Sequence, residues 1–206
     1  QDRFYGDNRD LVKWGTLLEL ARTHKAKQIL LVLYYRPNEW DRRERRYQWA
    51  PIEIGGQIVE IAPEVIRHFR EVNLIRNLKS PVPIDVLKGE FGDRRKYLDA
   101  VKAAIRTRSD YPGIVFLDPD TGLEPPGGNH GPKHVLCDEL SEIWESLATG
   151  DVLVLYQHKT AMNNAPFIEP KIQQFVDAIG IPREREMYAY APMIARDVAF
   201  FFAQKE

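Results

Sequence analysis

GIVFLDPDTGLEP, residues 113–125, contains an apolar run that stops abruptly at Asp118 and Pro119. A short apolar run bounded by turn-forming residues is typical of a strand buried on both faces. Similar runs occur at 28–35 and 151–156, and amphipathic helical patterns separate these strands. Strands that alternate with helices predict an α/β, Rossmann-like fold with a mostly parallel central sheet and helices on both faces.

The end of the chain predicts an exception to the parallel arrangement. Segments 186–191 and 195–203 have strand character, and the connection between them is so short that they must run antiparallel. Segment 51–61 alternates apolar and polar residues around a Gly-Gly pair, which is typical of a two-residue hairpin turn. We therefore expect a single domain over 1–206 with a hairpin insertion around 39–61 and a C-terminal antiparallel hairpin. Apolar residues at helical spacing predict helices over 10–23, 63–77, 97–108, 135–147 and 167–179.

Composition limits the partners that the chain as a whole can attract. The 206 residues include 29 Lys and Arg against 30 Asp and Glu, a formal net charge of -1, so no global field favours nucleic acid or anionic lipid. The single cysteine, Cys137, excludes an internal disulfide framework and suits a reducing compartment. No apolar run approaches membrane-spanning length, so we expect a cytoplasmic protein without membrane association. The sequence gives no indication of the oligomeric state.

Ligands of an open parallel sheet bind outside the carboxyl ends of its strands, so the residues that follow each buried strand form the candidate site. Asp118, Asp120 and Glu124 place three carboxylates within seven residues after one such strand. Pro119 fixes the backbone of this turn, which can aim carboxylates and backbone carbonyls into a cleft. The same residues are also good turn formers, and a purely structural turn is the alternative interpretation.

Two further segments bring polar groups toward the same edge of the predicted sheet. His158 follows the next buried strand, where an imidazole can act as a base or a metal ligand, although a lone histidine can equally be a surface residue. Residues 6–14, GDNRDLVKW, combine a flexible loop with a helix start, a natural site for an anion or a polar ligand group. A capped helix with a solvated lysine is the alternative. The candidate ligand-binding residues of this segment are Asn8, Asp10 and Lys13.

The stretch 36–49 interleaves arginines with aromatic residues, a composition that suits flexible or single-stranded nucleic acid. Acidic residues within the stretch dilute its charge, so a solvated rim is the competing interpretation. Motifs with a fixed chemistry are missing from the sequence. No zinc-type Cys/His spacing, phosphate-loop lysine motif or G-x-S-x-G elbow is present, and no G-x-G-x-x-G follows the first strand.

Two of these segments, GDNRDLVKW at 6–14 and the DPDT turn at 118–121, resemble motifs of class I S-adenosylmethionine-dependent methyltransferases, most specifically the ribosomal RNA adenine-N6 type. That family opens with G-N-x-x-D-V-L-K-H, and this chain departs from the pattern where Trp14 stands in place of the final histidine. The resemblance implies a pocket for S-adenosylmethionine and a sheet that ends in an antiparallel hairpin. The residues it implies for the cofactor are Asn8, Asp10, Lys13 and Glu90.

The family's catalytic turn is D-P-P-Y, in which the acid and the first proline carbonyl hold the target amino group while the aromatic ring stacks on the base. The resemblance therefore implies catalytic roles for Asp118 and Pro119, since a carboxylate and a carbonyl can both accept from an amino group. Asp120 and Thr121 depart from the pattern, so the stacking platform is lost and the pocket gains a carboxylate. Asp120 and His158 complete the candidate catalytic residues.

Three functions are open at this point. The first is methyl transfer from S-adenosylmethionine, with nucleic acid among the acceptor classes. The second is metal-dependent phosphodiester hydrolysis, in which Asp118, Asp120 and Glu124 bind Mg²⁺ or Mn²⁺. The third is a non-catalytic Rossmann-like module that binds a nucleotide or another protein. The order of elements and the N-terminal segment favour the first function, while the missing glycine-rich motif counts against it.

Overall fold

The computed structural model describes residues 8–34, 52–54, 57–59, 80, 82–87, 89–108, 112–127, 131–159, 166–185 and 187–206. The helices in these ranges are α1 (Asn8–Thr23), α2 (Arg94–Arg106), α3 (Cys137–Glu145) and α4 (Ile168–Ile179), with a 3-10 turn at Arg183–Arg185. The strands are β1 (Ile29–Leu33), β2 (Ile52–Ile54), β3 (Gln57–Val59), β4 (Ile84–Val86), β5 (Ile114–Asp118), β6 (Gly122–Leu123), β7 (His134–Val135), β8 (Val152–His158), β9 (Met187–Ala189) and β10 (Val198–Gln204).

Six strands form one sheet in the order β4-β1-β5-β8-β10-β9. The pairs β4–β1, β1–β5 and β5–β8 are parallel, whereas β10 runs antiparallel to both β8 and β9. β9 therefore points in the same direction as β8, and its carboxyl end lies at the same edge of the sheet. The predicted α/β fold, with a mostly parallel sheet and a C-terminal antiparallel hairpin, is confirmed.

Helices cover both faces of the sheet, and β1 is apolar at every position. Along β1, Leu30 and Val32 join the cluster that also contains buried residues of α2, α3 and α4. Ile29, Leu31 and Leu33 point the other way and join the cluster that contains buried residues of α1. Since side chains alternate between the faces of a strand, an unbroken apolar run of this kind is stable only between two layers of helices.

The direction of the connections reverses at β1. The chain forms β4 on one side of β1 and then forms β5 on its other side. At such a switch point a crevice opens outside the carboxyl ends of the two central strands, because the connections on either side lead away from each other. Tyr34 follows β1 and Asp118 ends β5, so these two residues mark the crevice.

Several boundaries differ from the sequence-based predictions for local reasons. α2 begins at Arg94 instead of 97, because Asp93 accepts a hydrogen bond from the Lys96 N–H at 3.0 Å and caps the helix there. α3 begins after position 135, because Val135 belongs to β7, which pairs in parallel with β6. The sequence analysis predicts neither of these two short strands.

The predicted hairpin segment contains an antiparallel pair, in which Ile54 of β2 lies opposite Gln57 of β3. The helix predicted over 63–77 lies outside the described residues. In the ranges that the structure describes, no helix is both long enough and apolar enough to cross a membrane.

Candidate functional site

The first turns of α1 meet the carboxyl end of β5. Lys13 Nζ lies 2.8 Å from Asp10 Oδ1 and 3.0 Å from Asp118 Oδ2, and all three side chains are largely buried. The ammonium also lies 5.6 Å from the ring centroid of Tyr156 and 6.0 Å from that of Phe116. Two segments that are 105 residues apart in sequence thus form one buried charged cluster, Asp10–Lys13–Asp118, beside the switch-point crevice.

Burial and charge act in opposite directions on this cluster. Burial alone lowers the pKa of the Lys13 ammonium, but the carboxylates of Asp118 and Asp10 outweigh burial and raise the pKa above its ordinary value. Burial raises the pKa of Asp118; Lys13 opposes this shift, and the carboxylates of Asp10 and Asp120 add to it. With all three groups ionised, the Asp10–Lys13–Asp118 cluster has one negative charge in excess, so it favours a ligand that presents a cation.

A second charged group lies at the same edge of the sheet, between β8 and β10. His158 ends β8 opposite Val198 of β10, and its Nε2 lies 3.1 Å from Asp197 Oδ2. Arg9 of α1 reaches the same carboxylate, with Nη2 at 2.5 Å from Oδ2 and Nε at 3.3 Å from Oδ1. The hydrogen bond from Arg9 holds the pKa of Asp197 below its usual range. Arg9, Asp197 and His158 are each about one-third exposed, so this second group is open to solvent.

Tyr156 lies between the two charged groups. Its ring is 6.5 Å from the His158 ring at an interplanar angle of 33°, and Lys13 Nζ lies 5.6 Å from its centroid. Burial, together with the charge of Asp118, raises the pKa of the Tyr156 hydroxyl above its ordinary value. Polar groups therefore extend along the carboxyl edge from β5 to β10, and α1 contributes to both ends of that row.

The turn after Asp118 is held in place by the side chain of Gln157, which is fully buried. Gln157 Oε1 accepts from the Leu123 N–H at 2.9 Å, and Gln157 Nε2 donates to the Thr121 carbonyl at 3.0 Å. Thr121 Oγ1 contacts His134 Nδ1 at 2.6 Å and donates to the Lys133 carbonyl at 2.8 Å. Thr121, where the resemblance would require an aromatic ring, thus joins the turn to β7.

The predicted metal site does not form among the described residues. Glu124 Oε1 accepts from the Cys137 N–H at 2.8 Å and so caps α3, while Asp118 pairs with Lys13. In the part of the chain that is described, no group of three or more His, Cys, Asp or Glu side chains could hold a metal ion. The carboxylates of Asp118 and Glu124 are close in sequence, but the turn directs them to different partners.

The other predicted site residues are distributed along the same edge. Pro119 is buried directly after Asp118, and Asp120 is half-buried and near enough to affect the pKa of Asp118. Glu90 is exposed in the connection after β4, and its carbonyl accepts from the Gly92 N–H at 3.0 Å. Asn8 begins α1, but its side chain lies outside the described residues, as does the arginine and aromatic segment 36–49.

Sequence reasoning missed three of the residues that build this edge. Arg9 lies inside the GDNRDLVKW segment but was not selected, because an arginine at a helix start has no distinctive pattern. Gln157 is a polar residue that follows an apolar run and could have been noticed as a buried amide. Asp197 gives no local signal, because it meets His158 only when β10 pairs with β8.

Comparisons with known proteins give structural neighbours only. No protein-family model matches the chain, and no curated protein matches it. The solved structure of human methyltransferase-like protein 13 in complex with SAH is 13% identical to this chain, with a TM-score of 0.43 over 95% of this chain and 80% of that one. A Klebsiella pneumoniae protein assigned as an O-methyltransferase is also 13% identical, with a TM-score of 0.37 over 94% and 80% of the two chains. The candidate function therefore rests on this chain's own residues and sheet topology.

Proposed function

We propose that this chain is an S-adenosylmethionine-dependent methyltransferase whose cofactor lies in the crevice outside the carboxyl ends of β1 and β5. The observation that carries the proposal is the 3.0 Å contact between Lys13 and Asp118. This contact joins, beside the switch point of the sheet, the two segments that resemble methyltransferase motifs. The antiparallel strand β10 near the end of the sheet supports the same resemblance.

The charges and donors of the site suit this cofactor. The negative excess of the Asp10–Lys13–Asp118 cluster favours a positively charged sulfonium, since the cluster is shielded from water. An ammonium has three N–H donors, and the contacts with Asp10 and Asp118 leave one of them for the carboxylate of the cofactor. Within the described residues, the indole Nε1 of Trp14 is buried without an acceptor, and a bound ligand would supply one.

When bound, S-adenosylmethionine supplies an activated methyl group, and the chain has to position an acceptor in line with it. Lys13 and Asp10 bind the cofactor in this proposal, while Asp118 contributes its charge to the negative excess and also orients the acceptor. Only Oδ2 of Asp118 receives a hydrogen bond from Lys13, so Oδ1 can accept one from the acceptor. Nucleic acid is the acceptor class that segment 36–49 suggests, and this segment lies outside the described residues. A cytoplasmic location stays a prediction.

Calorimetric titration with S-adenosylmethionine and S-adenosylhomocysteine tests the proposal. We expect the wild-type chain to bind both in the micromolar range, and Lys13→Met and Asp118→Asn to weaken binding of S-adenosylmethionine at least about tenfold, or about 1.4 kcal/mol. Glu169→Gln changes an exposed glutamate on α4 and serves as the control with unchanged affinity. Far-ultraviolet circular dichroism verifies that each variant is folded.

Absence of binding to the folded wild-type protein at millimolar cofactor would overturn the proposal. A Mn²⁺ titration run beside it separates the competing functions. Heat from Mn²⁺ that disappears in Asp120→Asn would favour phosphodiester hydrolysis instead, and binding of neither the cofactor nor the metal would favour a binding module.

A further inference from the structure

His158 and Asp197 form a histidine–carboxylate pair at the carboxyl edge of the sheet. His158 Nε2 faces Asp197 Oδ2 at 3.1 Å, and the charge of the carboxylate favours the neutral imidazole that carries its hydrogen on Nε2. Nδ1 is then an acceptor. Within the described ranges, no residue forms a hydrogen bond with His158 Nδ1. The pair thus presents a basic nitrogen in a defined tautomer.

Arg9 also holds Asp197, with two guanidinium nitrogens on the carboxylate, and it shares Oδ2 with His158. A carboxylate that is held in this way keeps the hydrogen of the neutral imidazole on Nε2 and limits the rotation of the ring. The ring of Tyr156 lies 6.5 Å from the imidazole and 5.6 Å from Lys13 Nζ, so it stands between this pair and the Asp10–Lys13–Asp118 cluster. The roles proposed above for Lys13, Asp10 and Asp118 leave the pair without a function.

The chain that leads to Asp197 carries exposed apolar side chains. The loop between β9 and β10 runs to Asp197 at the carboxyl edge, and it contains Met193, which is 95% exposed, and Ile194, which is 46% exposed. Apolar side chains that remain exposed this close to a polar pair suit a ligand with an apolar body.

From these observations we propose that the acceptor is a small apolar molecule with a hydroxyl group, that His158 is the general base, and that Asp197 is its positioning residue. This inference rests on the proposed methyltransferase function. An acceptor of this kind does not need an aromatic ring to stack on as a nucleobase would. The absence of an aromatic residue from the turn at 118–121 agrees with this. A hydroxyl differs from an amino group in that its proton must be removed during methyl transfer, which gives a base a role.

The reaction balances without another reactant. A lone pair of the hydroxyl oxygen forms a bond to the methyl carbon, and the bond between that carbon and the cofactor sulfur breaks with its electron pair going to sulfur. The hydroxyl proton goes to His158 Nδ1 and from there to solvent. The products are a methyl ether, S-adenosylhomocysteine and the released proton.

Methyl transfer to matched probes tests the inference. Tritiated S-adenosylmethionine is supplied with 4-phenylphenol, with 4-phenylaniline or with a short oligoadenylate, and each methylated product is counted. We expect transfer to the phenol. His158→Gln should lower the rate of this transfer at least about 100-fold, while the affinity for S-adenosylhomocysteine stays within about twofold. His24→Gln, directly after the last residue of α1, is the matched control.

A second measurement does not depend on activity. Long-range ¹⁵N–¹H correlation spectra of the histidine rings should show the Nε2–H tautomer for His158 in the wild type and a mixture of tautomers in Asp197→Ala. The Nδ1–H tautomer in the wild type would overturn the assignment of the base.

The possible failures are distinguishable. If the wild-type chain does not bind the cofactor, the proposed function fails. If it binds the cofactor but methylates the aniline or the oligoadenylate instead of the phenol, methylates none of the three probes, or retains its rate in His158→Gln, the inference about the acceptor and its base is overturned while the proposed function survives.

Discussion

Replacement of Gly122 with alanine should destabilise the fold far more than the same replacement at Gly127. Both glycines have a positive φ, +100° and +94°, so alanine carries a similar backbone cost of about 1–2 kcal/mol at either position. A Cβ at Gly122 would lie 2.3 Å from Gln157 Oε1, whereas a Cβ at Gly127 would meet nothing within 4 Å. The comparison therefore isolates the close approach of the turn to Gln157.

Moving the Gln157 side chain away from a Cβ at position 122 would break hydrogen bonds. This side chain is fully buried and holds the Leu123 N–H and the Thr121 carbonyl, and each hydrogen bond that is lost costs about 1 kcal/mol. With overpacking of about 1–3 kcal/mol added to the backbone cost, Gly122→Ala should lower the free energy of unfolding by roughly 2–5 kcal/mol. Gly127→Ala should lower it by about 1–2 kcal/mol.

Urea unfolding followed by circular dichroism measures both losses. The double variant Gly122→Ala/Gln157→Ala provides the decisive comparison, because removal of the amide also removes the clash. We expect the double variant to lose less than the sum of its single variants, by about 1–2 kcal/mol. Equal losses at the two glycines, or strict additivity in the double variant, would refute the packing described for this turn.

Two further stability predictions concern buried ionisable groups. Asp151 is fully buried and lies 2.6 Å from Arg108, so Asp151→Asn should lower the free energy of unfolding in urea by about 3–5 kcal/mol. Glu169→Gln on the surface should change it by less than about 0.5 kcal/mol. Similar losses in the two variants would contradict a stabilising role for the buried Arg108–Asp151 pair. Burial and neighbouring cations lower the pKa of His134 below its ordinary value of 6.5. The folded state therefore favours the neutral imidazole. The stability that His134 contributes is present above pH 6.5 and is lost as the pH falls through the lower pKa of the folded state. Urea midpoints measured from pH 7 to pH 5 should therefore fall further in the wild type than in His134→Gln, and parallel curves would show that His134 is not responsible.

The central strands could be predicted from the sequence because burial on both faces leaves a local trace. The apolar runs at 28–35 and 151–156 correspond to β1 and β8, and the run that ends at Asp118 corresponds to β5. The location of Asp118 at a carboxyl end followed directly, since parallel strands share that edge. β6 and β7 could not be predicted, because strands of two residues are too short to show a period.

The side-chain partners in the candidate site depend on long-range packing and could not be predicted. Lys13 meets Asp118 only because α1 packs with its first turns at the carboxyl edge. Asp197 meets His158 only because β10 is placed beside β8. Proximity in sequence was misleading for Glu124, because the strand β6 that precedes it carries its side chain to the start of α3.

A crystal structure of the chain with S-adenosylhomocysteine would test the central proposal most directly. The proposal predicts the ligand outside the carboxyl ends of β1 and β5, with one of its polar groups within hydrogen-bonding distance of Lys13 Nζ. Two results would contradict the proposal. One is a ligand bound elsewhere on the protein, and the other is a crevice that stays empty in solution and in the crystal at a saturating ligand concentration.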